Sequence, residues 1–240
     1  MKTECVIRSG YFRANRRYAQ WITKQEGIPK EILDIKGLEF QKTNFPSIFK
    51  DFFKEIVVDA LKGIDSDKLI SRIKDFKKEI INGKISLTQL GNPTSINHLR
   101  KVYTVTDNGV KKEKGYILSD PKAGEIFTQL KKGVPAPVRA AARYNDLHRA
   151  FQIDVNKYPL MTYADKIRWI YLKDNPYKIE ALAFFDTGLP SKIEKFLNKY
   201  ADRGRVFDTI LLNKLEGFFD DLEIDLNLNP YLDQFKTFEI

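Results

Sequence analysis

The residues best suited to a chemical role are arginines that alternate with aromatic residues near the start of the sequence. Six such residues fall within one short segment: Tyr11, Phe12, Arg13, Arg16, Arg17 and Tyr18. A guanidinium group can form paired hydrogen bonds to a phosphate, while a neighbouring ring packs or contacts a sugar or a base. This pattern therefore predicts binding to a nucleic-acid backbone.

Two later segments also have side chains that suit phosphate. Gly91-Asn92-Pro93-Thr94-Ser95 precedes a predicted helical turn, where exposed amide and hydroxyl groups can hold an anion. Ordinary turn and capping chemistry explains that segment equally well. Arg139 and Arg143 lie one helical turn apart, beside Lys131-Lys132, and form a third basic site.

Charge is unevenly distributed along the chain. The 41 Lys and Arg against 32 Asp and Glu give a net charge of +9. Residues 205–240 hold three basic and eight acidic side chains, which makes them −5 and leaves +14 on residues 1–204. A body with this charge attracts polyanions such as nucleic acids, although a well-solvated surface would have the same composition.

Several enzyme classes are disfavoured because their motifs are missing. The sequence has no Gly-rich phosphate loop followed by Lys-Ser/Thr, no G-x-G-x-x-G after a strand and no G-x-S-x-G. His98 and His148 are interpreted as structural residues rather than members of a catalytic triad. The acidic run at 220–225 is interpreted as solvated surface rather than a cation site.

The compartment is predicted from what the sequence lacks. There is no run of 18 or more uncharged apolar residues, and Met1–Gly10 has no apolar stretch of the kind found in signal peptides. Cys5 is the only cysteine, so no intrachain disulfide can form. One cysteine and two histidines are too few to favour a zinc site. We therefore expect a cytosolic protein with no membrane partner.

Hydrophobic patterns predict the elements that must position these residues. An alternating stretch from Cys5 to Ile35, broken at Ser9-Gly10 and at Gly27-Ile28-Pro29, predicts a small antiparallel sheet. Apolar steps of three and four residues then predict a helix from Pro46 to Gly63. A second helix is predicted from Asp65 or Ser66 to Asn82, paired with the first as an antiparallel hairpin.

The rest of the chain is predicted to be mainly helical, with one β-hairpin. Helices are expected at Lys122–Leu130, from Pro135 to Phe151, and at about 191–200 and 206–216, with the hairpin formed by Lys166–Leu172 and Lys178–Phe184. The predicted fold class is α+β, a small antiparallel sheet followed by a mostly helical region.

Taken in order, these segments resemble the C-terminal part of family B DNA polymerases, especially the replicative polymerases of tailed phages. Phe12-Arg13-Ala14-Asn15-Arg16-Arg17-Tyr18-Ala19 is similar to that family's palm motif, usually Lys-Lys-Arg-Tyr, which holds the primer strand near its 3′ end. Asn15 and Arg16 stand where two lysines are usual, so Arg16 keeps a charge and Asn15 loses one. Glu26-Gly27 resembles the turn that follows the motif, and Lys36-Gly37-Leu38-Glu39 resembles the strand that ends the palm.

Two later segments resemble parts of the polymerase thumb that lie along the duplex. They are Leu90–Asn97 through Tyr103, and Gly133–Ala141 with Tyr144-Asn145. The resemblance implies that residues 1–45 are the C-terminal part of the palm, 46–225 the thumb and 226–240 a tail. The contacts to primer–template that it implies are those of Arg16, Arg17, Tyr18, Lys36, Asn92, Thr94, Ser95, Arg139, Arg143 and Tyr144.

The resemblance also implies what this chain does not contain. In that family the nucleotide-binding motif and the Asp-Thr-Asp turn, which hold two magnesium ions, lie upstream of the matched part. We therefore expect no catalytic residue, metal or cofactor in this chain, and no activity alone. The expected whole is a DNA-directed DNA polymerase, a nucleotidyltransferase, in which a second chain supplies the exonuclease, the fingers and the catalytic palm with its Mg²⁺. The chain would be either one product of a naturally split polymerase or a fragment, working in the cytoplasm, that of the host for a phage protein.

Two alternatives stay open. Tyr231–Phe238 resembles the peptide with which related phage enzymes bind a sliding clamp, through Leu232, Phe235 and Phe238 here; the same three side chains would equally well pack back on the thumb. The rival function is an autonomous accessory protein that binds single strands or RNA, which requires aromatic stacking platforms. A nuclease is disfavoured, since no metal-binding carboxylates cluster on the basic body.

Overall fold

The computed structural model describes residues 5–14, 16–42, 44–97, 99, 102–106, 109–113, 115–224 and 226. These residues mix helices with small antiparallel sheets, which confirms the α+β class. The chain forms two compact units, a first unit of Met1–Ile85 with Phe207–Ile240 and a second unit of Ser86–Val206. In the described part of the chain, no helix has both the length and the apolar character needed to cross a membrane.

The first unit begins with the predicted antiparallel sheet. Its three strands are β1 (Cys5–Ala14), β2 (Arg17–Gln25) and β3 (Ile28–Lys36), with β2 in the middle. The β2–β3 turn places Glu26 at φ +50° and Gly27 at φ +79°. Two successive positive φ values match the right-handed twist of a two-residue hairpin. The strand signals and the break at Gly27 are therefore confirmed. The break predicted at Ser9-Gly10 is wrong, because β1 runs through both residues, which pair with Trp21 and Gln20 of β2.

Two helices follow a 3₁₀ turn at Glu39–Gln41 and form the predicted antiparallel hairpin. They are α1 (Ser47–Leu61) and α2 (Ser66–Ile81). The Asp65 side chain accepts a hydrogen bond from the Asp67 amide, which caps α2. Between the helices the rings of Phe52 and Phe76 stack with centroids 3.9 Å apart. Of the seven apolar residues that the helical spacing placed on one face of α1, Phe49, Phe52, Phe53, Ile56 and Val57 are buried, whereas Ala60 and Leu61 in the last turn are half-buried.

The first unit is completed by the helical segment predicted at 206–216. In the structure it consists of a π-helical segment, Phe207–Leu212, and α7, Asn213–Asp220. The Phe218 ring lies 4.9 Å from that of Tyr11 on β1 and 5.9 Å from that of Phe53 on α1. Each ring buried in this way contributes about 1.5–3 kcal/mol, so Phe218 ties α7 to both the sheet and α1.

The second unit has short strands around one long helix. Its elements are α3 (Leu87–Leu90), β4 (Asn92–Ser95), β5 (Val102–Thr106), β6 (Gly109–Glu113), β7 (Ile117–Ser119), β8 (Gln129–Leu130), α4 (Ala136–Ala150), β9 (Lys166–Tyr171), β10 (Ala181–Phe184), α5 (Ser191–Tyr200) and α6 (Arg203–Val206). The strands pair as β10-β9-β4, β5-β6 and β7-β8, all antiparallel. The predicted hairpin, now β9–β10, and the predicted helices α4 and α5 are confirmed. Three consecutive alanines, 140–142, are buried on α4, which packs mainly against β10.

The helix predicted at Lys122–Leu130 is wrong. Gly124 adopts φ +83° in a turn, and the segment ends in β8, which pairs with β7. The Thr128 amide and hydroxyl donate to the buried carboxylate of Asp146, at 3.1 and 2.5 Å. A distant buried acceptor therefore fixes this segment in an extended form. The boundaries predicted at 45/46 and 225/226 rest on resemblance rather than on packing, and they stay predictions.

Candidate nucleic-acid interface

The turn between β1 and β2 carries Arg16. Ala14 and Arg17 are the last paired residues of the two strands, and Arg16 between them is exposed with φ +64°. A residue other than glycine rarely adopts this conformation. The turn is supported by Gly37, because a Cβ there would lie 2.1 Å from the Arg16 carbonyl oxygen. Asn15 lies outside the described residues.

One face of the sheet presents rings beside a cation. Tyr18 pairs across the strands with Phe12 on β1 and with Lys36 on β3. The two rings are 6.1 Å apart, and the Lys36 Nζ lies 5.9 Å from the Tyr18 ring centroid. Phe12 is 62% exposed, lying against Gly10, where a Cβ would be 2.5 Å from its ring. We call Phe12, Tyr18 and Lys36 the aromatic–basic patch.

Hydrogen bonds fix the orientation of the patch. The Tyr18 hydroxyl donates to Asp34 Oδ2 at 3.0 Å, and the same oxygen accepts from Gln20 at 3.2 Å. With its hydroxyl held along the sheet, Tyr18 has its ring, rather than its polar end, available to a ligand. A ring with a nearby cation can accept a sugar or a base while the cation meets a phosphate.

The predicted primer clamp of Arg16, Arg17 and Tyr18 is divided between the two faces of the sheet. Arg17 and Tyr18 are successive residues of β2, and successive side chains of a strand point to opposite faces. Arg17 lies in a small cleft with Arg13 and Tyr11, while Tyr18 belongs to the patch. Arg16 at the turn is exposed. The three residues are close along the chain, but they do not form one surface.

Asp221, the C-cap residue of α7, places a negative charge at the face of the sheet that carries Arg17. Arg13 Nε lies 3.2 Å from Asp221 Oδ2, and the Tyr11 hydroxyl donates to the same oxygen at 2.5 Å. Burial, followed by this hydrogen bond to Asp221, raises the pKa of Tyr11. Tyr11 therefore stays protonated at neutral pH and adds no second negative charge beside the arginines.

In the second unit, the segment predicted as a turn before a helix is a strand. Residues 92–95 form β4, the edge strand beside β9, so part of their backbone is used in sheet pairing rather than held open for an anion. Asn92 and Thr94 pair with buried residues of β9 and are half-buried. Ser95 is exposed and pairs with Lys166. Of the three predicted contacts, Ser95 is therefore the one beside a cation.

The predicted basic site on α4 is largely engaged within the protein. Arg139 pairs with Glu180 at 3.1 Å, and Arg143 pairs with Asp146 at 2.7 Å, where the carboxylate is fully buried. Tyr144 is 1% exposed, and burial, reinforced by Tyr158, raises its pKa to about 12. Duplex contact by these residues stays a prediction, and Tyr144 has almost no surface to offer.

Two of the predicted contacts have polar atoms without a partner. Asn92 Oδ1 and Arg139 Nε are buried and make no hydrogen bond within the described chain, as is also true of Trp21 Nε1. Buried polar atoms are nearly always satisfied, so each such atom is a candidate for contact with solvent or a ligand.

The structure places further cations near these segments that the sequence patterns did not predict. Lys166 is exposed beside Ser95, and the alternation in β9 could have indicated it. Arg168 shares that face but is engaged, since it pairs with Asp186 and donates to a backbone carbonyl. Lys214 reaches the cleft of Arg17 from the far end of the chain, and no local pattern indicates this.

Some predictions concern residues that the structure does not describe, namely His98 and the clamp contacts Leu232, Phe235 and Phe238. Among the residues described, no group of three or more His, Cys, Asp and Glu side chains could hold a metal ion. A scan against protein-family models and a search of curated proteins found no match to this sequence.

Proposed function

We propose that this chain grips primer–template duplex as the palm edge and thumb of a family B replicative DNA polymerase, while a partner chain supplies the catalytic aspartates and their Mg²⁺. The observation that carries the proposal is the aromatic–basic patch, whose Phe12 and Tyr18 belong to the segment that resembles the palm motif, together with exposed Arg16 in the adjoining β1–β2 turn. The order of the later segments that resemble the thumb supports the same assignment.

The mechanism follows from contacts to the nucleic-acid backbone. Lys36 and Arg16 would neutralise primer phosphates, and the ring of Tyr18 would pack on a sugar near the primer end. Such contacts carry no sequence information, which suits a replicative enzyme. By holding the primer terminus they would convert a diffusing 3′ hydroxyl into a positioned nucleophile for chemistry in the partner chain.

The proposed assembly contains more than DNA. The second chain would carry the exonuclease, the fingers and the catalytic palm, and the tail at 226–240 would bind a sliding clamp. The protein would act in the cytoplasm, that of the host if the protein comes from a phage.

Removal of residues 231–240 tests the proposed clamp-binding tail. It should abolish clamp-dependent processivity and spare basal synthesis, whereas a loss of folding would favour a tail packed on its own chain.

The test is the salt dependence of binding to a labelled primer–template, measured by fluorescence anisotropy. On a log–log plot the affinity should fall by about 0.9 for each phosphate neutralised. Lys36→Gln should lower the slope by about 0.9, and Arg16→Gln by a similar amount. Lys30→Gln is the matched control, because Lys30 is exposed on the same strand but about 20 Å from Lys36. Salt-independent affinity, or equal slopes for all three variants, would refute the proposal.

One observation favours the rival, a single-strand or RNA-binding accessory protein. Phe12 is 62% exposed with the Tyr18 ring 6.1 Å away, a pair that could stack bases. Stacking of this kind is worth about 1–3 kcal/mol per base. If the chain prefers single strands and Phe12→Ala weakens that binding tenfold or more while leaving duplex affinity unchanged, the rival function holds.

A further inference from the structure

The outer side of α5 in the second unit carries lysines along one flank. The helix is amphipathic, with its apolar side buried, and Lys195 and Lys199 are exposed. These two lysines lie one helical turn apart, about 6 Å along the axis. The acidic residue of the helix, Glu194, lies about 100° around the axis from Lys195 and further from Lys199. The flank that carries the lysines is therefore basic.

The end of α5 adjoins the end of β9, which brings a third lysine close to this flank. The Lys173 amide donates to the Tyr200 carbonyl oxygen at 2.7 Å, and the Asp202 amide donates to the Tyr171 carbonyl oxygen at 2.9 Å. Between these two hydrogen bonds, Leu172 and its partner across the bridge are buried. Because side chains alternate along an extended strand, Tyr171 and Lys173 point to the other side, where Lys173 is exposed.

Two tyrosine rings beside these lysines each have a cation next to them. The Lys199 Nζ lies 5.2 Å from the Tyr200 ring centroid, and the Arg205 guanidinium carbon lies 4.2 Å from that of Tyr171. Each ring also packs on a buried aromatic ring of the same unit, with centroids 4.9 Å apart in both pairs. Both tyrosines are half-buried, so their rings are held in place and still partly exposed. The residues that we call the α5–β9 surface are Tyr171, Lys173, Lys195, Lys199 and Tyr200.

Positive charge predominates on the α5–β9 surface. Its three lysines form no ion pair with a carboxylate of the described chain. Asp174, next to Lys173, pairs with Lys178 at 2.8 Å, so these two residues add no net charge. Asp202 opposes the three lysines with a single negative charge. A polyanion would therefore meet lysines that are not already neutralised within the protein.

The chemistry of this surface fits a sugar–phosphate backbone. Exposed lysines meet phosphates as point charges, and a partly exposed ring can pack on a sugar between them. The lysines extend along a turn of α5 and onto the end of β9, which suits a series of phosphates better than one small anion. Cations beside fixed rings are also what the aromatic–basic patch of the first unit presents.

We propose that the α5–β9 surface binds the backbone of duplex DNA, as a second contact besides the aromatic–basic patch. The inference rests on the proposed function in one respect, namely that the ligand is nucleic acid. It goes beyond that function because residues 171–200 lie outside the segments that resemble the polymerase thumb.

The first arm of the test is the salt dependence of binding by the full chain to labelled primer–template. Lys195→Gln/Lys199→Gln should lower the slope of the log–log plot by about 1.8, and Lys173→Gln by about 0.9. Between 50 and 200 mM salt, the wild type should thus lose about tenfold more affinity than the double variant. Lys195→Arg/Lys199→Arg keeps both charges and should retain the wild-type slope.

Two further variants serve as controls. Lys68→Gln removes the same charge from an exposed site on α2 of the first unit and should leave the slope unchanged. Asp202→Asn keeps an oxygen that can accept from the Arg205 amide but removes the opposing negative charge, so it should raise affinity. Lower affinity for Asp202→Asn would count against the inference.

The second arm replaces DNA by poly-glutamate at the same ionic strength, because an acidic protein is the other polyanion that lysines could bind. Lys195→Gln/Lys199→Gln should weaken duplex binding more than poly-glutamate binding, since poly-glutamate has no sugar for the rings to contact. An equal or larger loss for poly-glutamate would overturn the inference and assign the surface to an acidic protein.

The outcomes separate this inference from the proposed function. If the lysine variants of the α5–β9 surface have the same slope as Lys68→Gln, the inference is overturned, and a lowered slope for Lys36→Gln would leave the proposed function standing. Lowered slopes for the α5–β9 variants with an unchanged slope for Lys36→Gln would support the inference and refute the role of the aromatic–basic patch.

Discussion

Gly37 offers a sharp test of how the first unit is built, because its replacement by alanine creates two distinct problems. The residue adopts φ +65°, which costs an L-amino acid roughly 1–2 kcal/mol. A Cβ would in addition lie 2.1 Å from the Arg16 carbonyl oxygen, a backbone atom that cannot move without displacing the β1–β2 turn. Overpacking of this kind typically costs about 1–3 kcal/mol more. Gly37→Ala should therefore destabilise the first unit by about 2–5 kcal/mol.

A matched control separates these two contributions. Gly27, in the β2–β3 turn of the same sheet, has φ +79°, and a Cβ there would meet nothing within 4 Å. Gly27→Ala should thus cost only the conformational part, roughly 1–2 kcal/mol. The difference between the two variants isolates the contact between residue 37 and the Arg16 carbonyl.

The chain contains a convenient reporter for this measurement. Of its two tryptophans, Trp21 belongs to the first unit, with the Lys62 Nζ 5.1 Å above its ring, and Trp169 is buried in the second unit. In a Trp169→Phe background, urea unfolding followed by fluorescence reports the first unit alone. Equal losses for Gly27→Ala and Gly37→Ala would refute the predicted clash and, with it, the close support of the Arg16 turn.

Three further predictions concern single residues. Asp65→Ala removes the cap of α2 and should cost about 1 kcal/mol by the same Trp21 assay, and no change would argue against the cap. Asp146→Ala leaves Arg143 and Arg149 without their buried carboxylate and should cost about 3–5 kcal/mol, followed by Trp169 in a Trp21→Phe background. Burial lowers the pKa of His148 below 6.5, so the unfolded chain takes up the proton first. The second unit should be fully stable above pH 6.5 and lose stability as pH falls below it; His148→Gln should flatten this curve, and parallel curves would contradict the assignment.

Local patterns were sufficient where neighbours along the chain decide the structure. The spacing of Phe49, Phe52 and Phe53 predicted the buried face of α1, and the polar pair Asp65-Ser66 predicted the start of α2, because both signals act within one or two turns. The same reasoning failed for Lys122–Leu130. There the Thr128 amide donates to Asp146, an acceptor on another element that no local pattern contains.

The candidate site likewise has parts that the local sequence predicted and parts that depend on tertiary packing. The sequence indicated the importance of Arg16, Arg17 and Tyr18 as a group, but strand alternation separates Arg17 from Tyr18 once β2 forms. The position of Lys214 beside Arg17 depends on how α7 packs in the first unit, through contacts such as that of Phe218. Pairings of this kind require the tertiary structure.

Acidic residues near the end of the chain form ion pairs within the first unit. The acidic run at 220–225 was interpreted as solvated surface, yet its Asp221 pairs with Arg13. Further upstream, Asp208 pairs with Lys77 at 2.8 Å within the first unit. These carboxylates neutralise cations of the basic body, so a count of lysines and arginines overstates the charge that a ligand would meet. The cations that matter for a polyanion are those without an internal carboxylate. Within the described chain Arg17 and Lys36 meet this condition and Arg143 does not, which is why substitutions in the first unit should change the salt slope more than Arg143→Gln does.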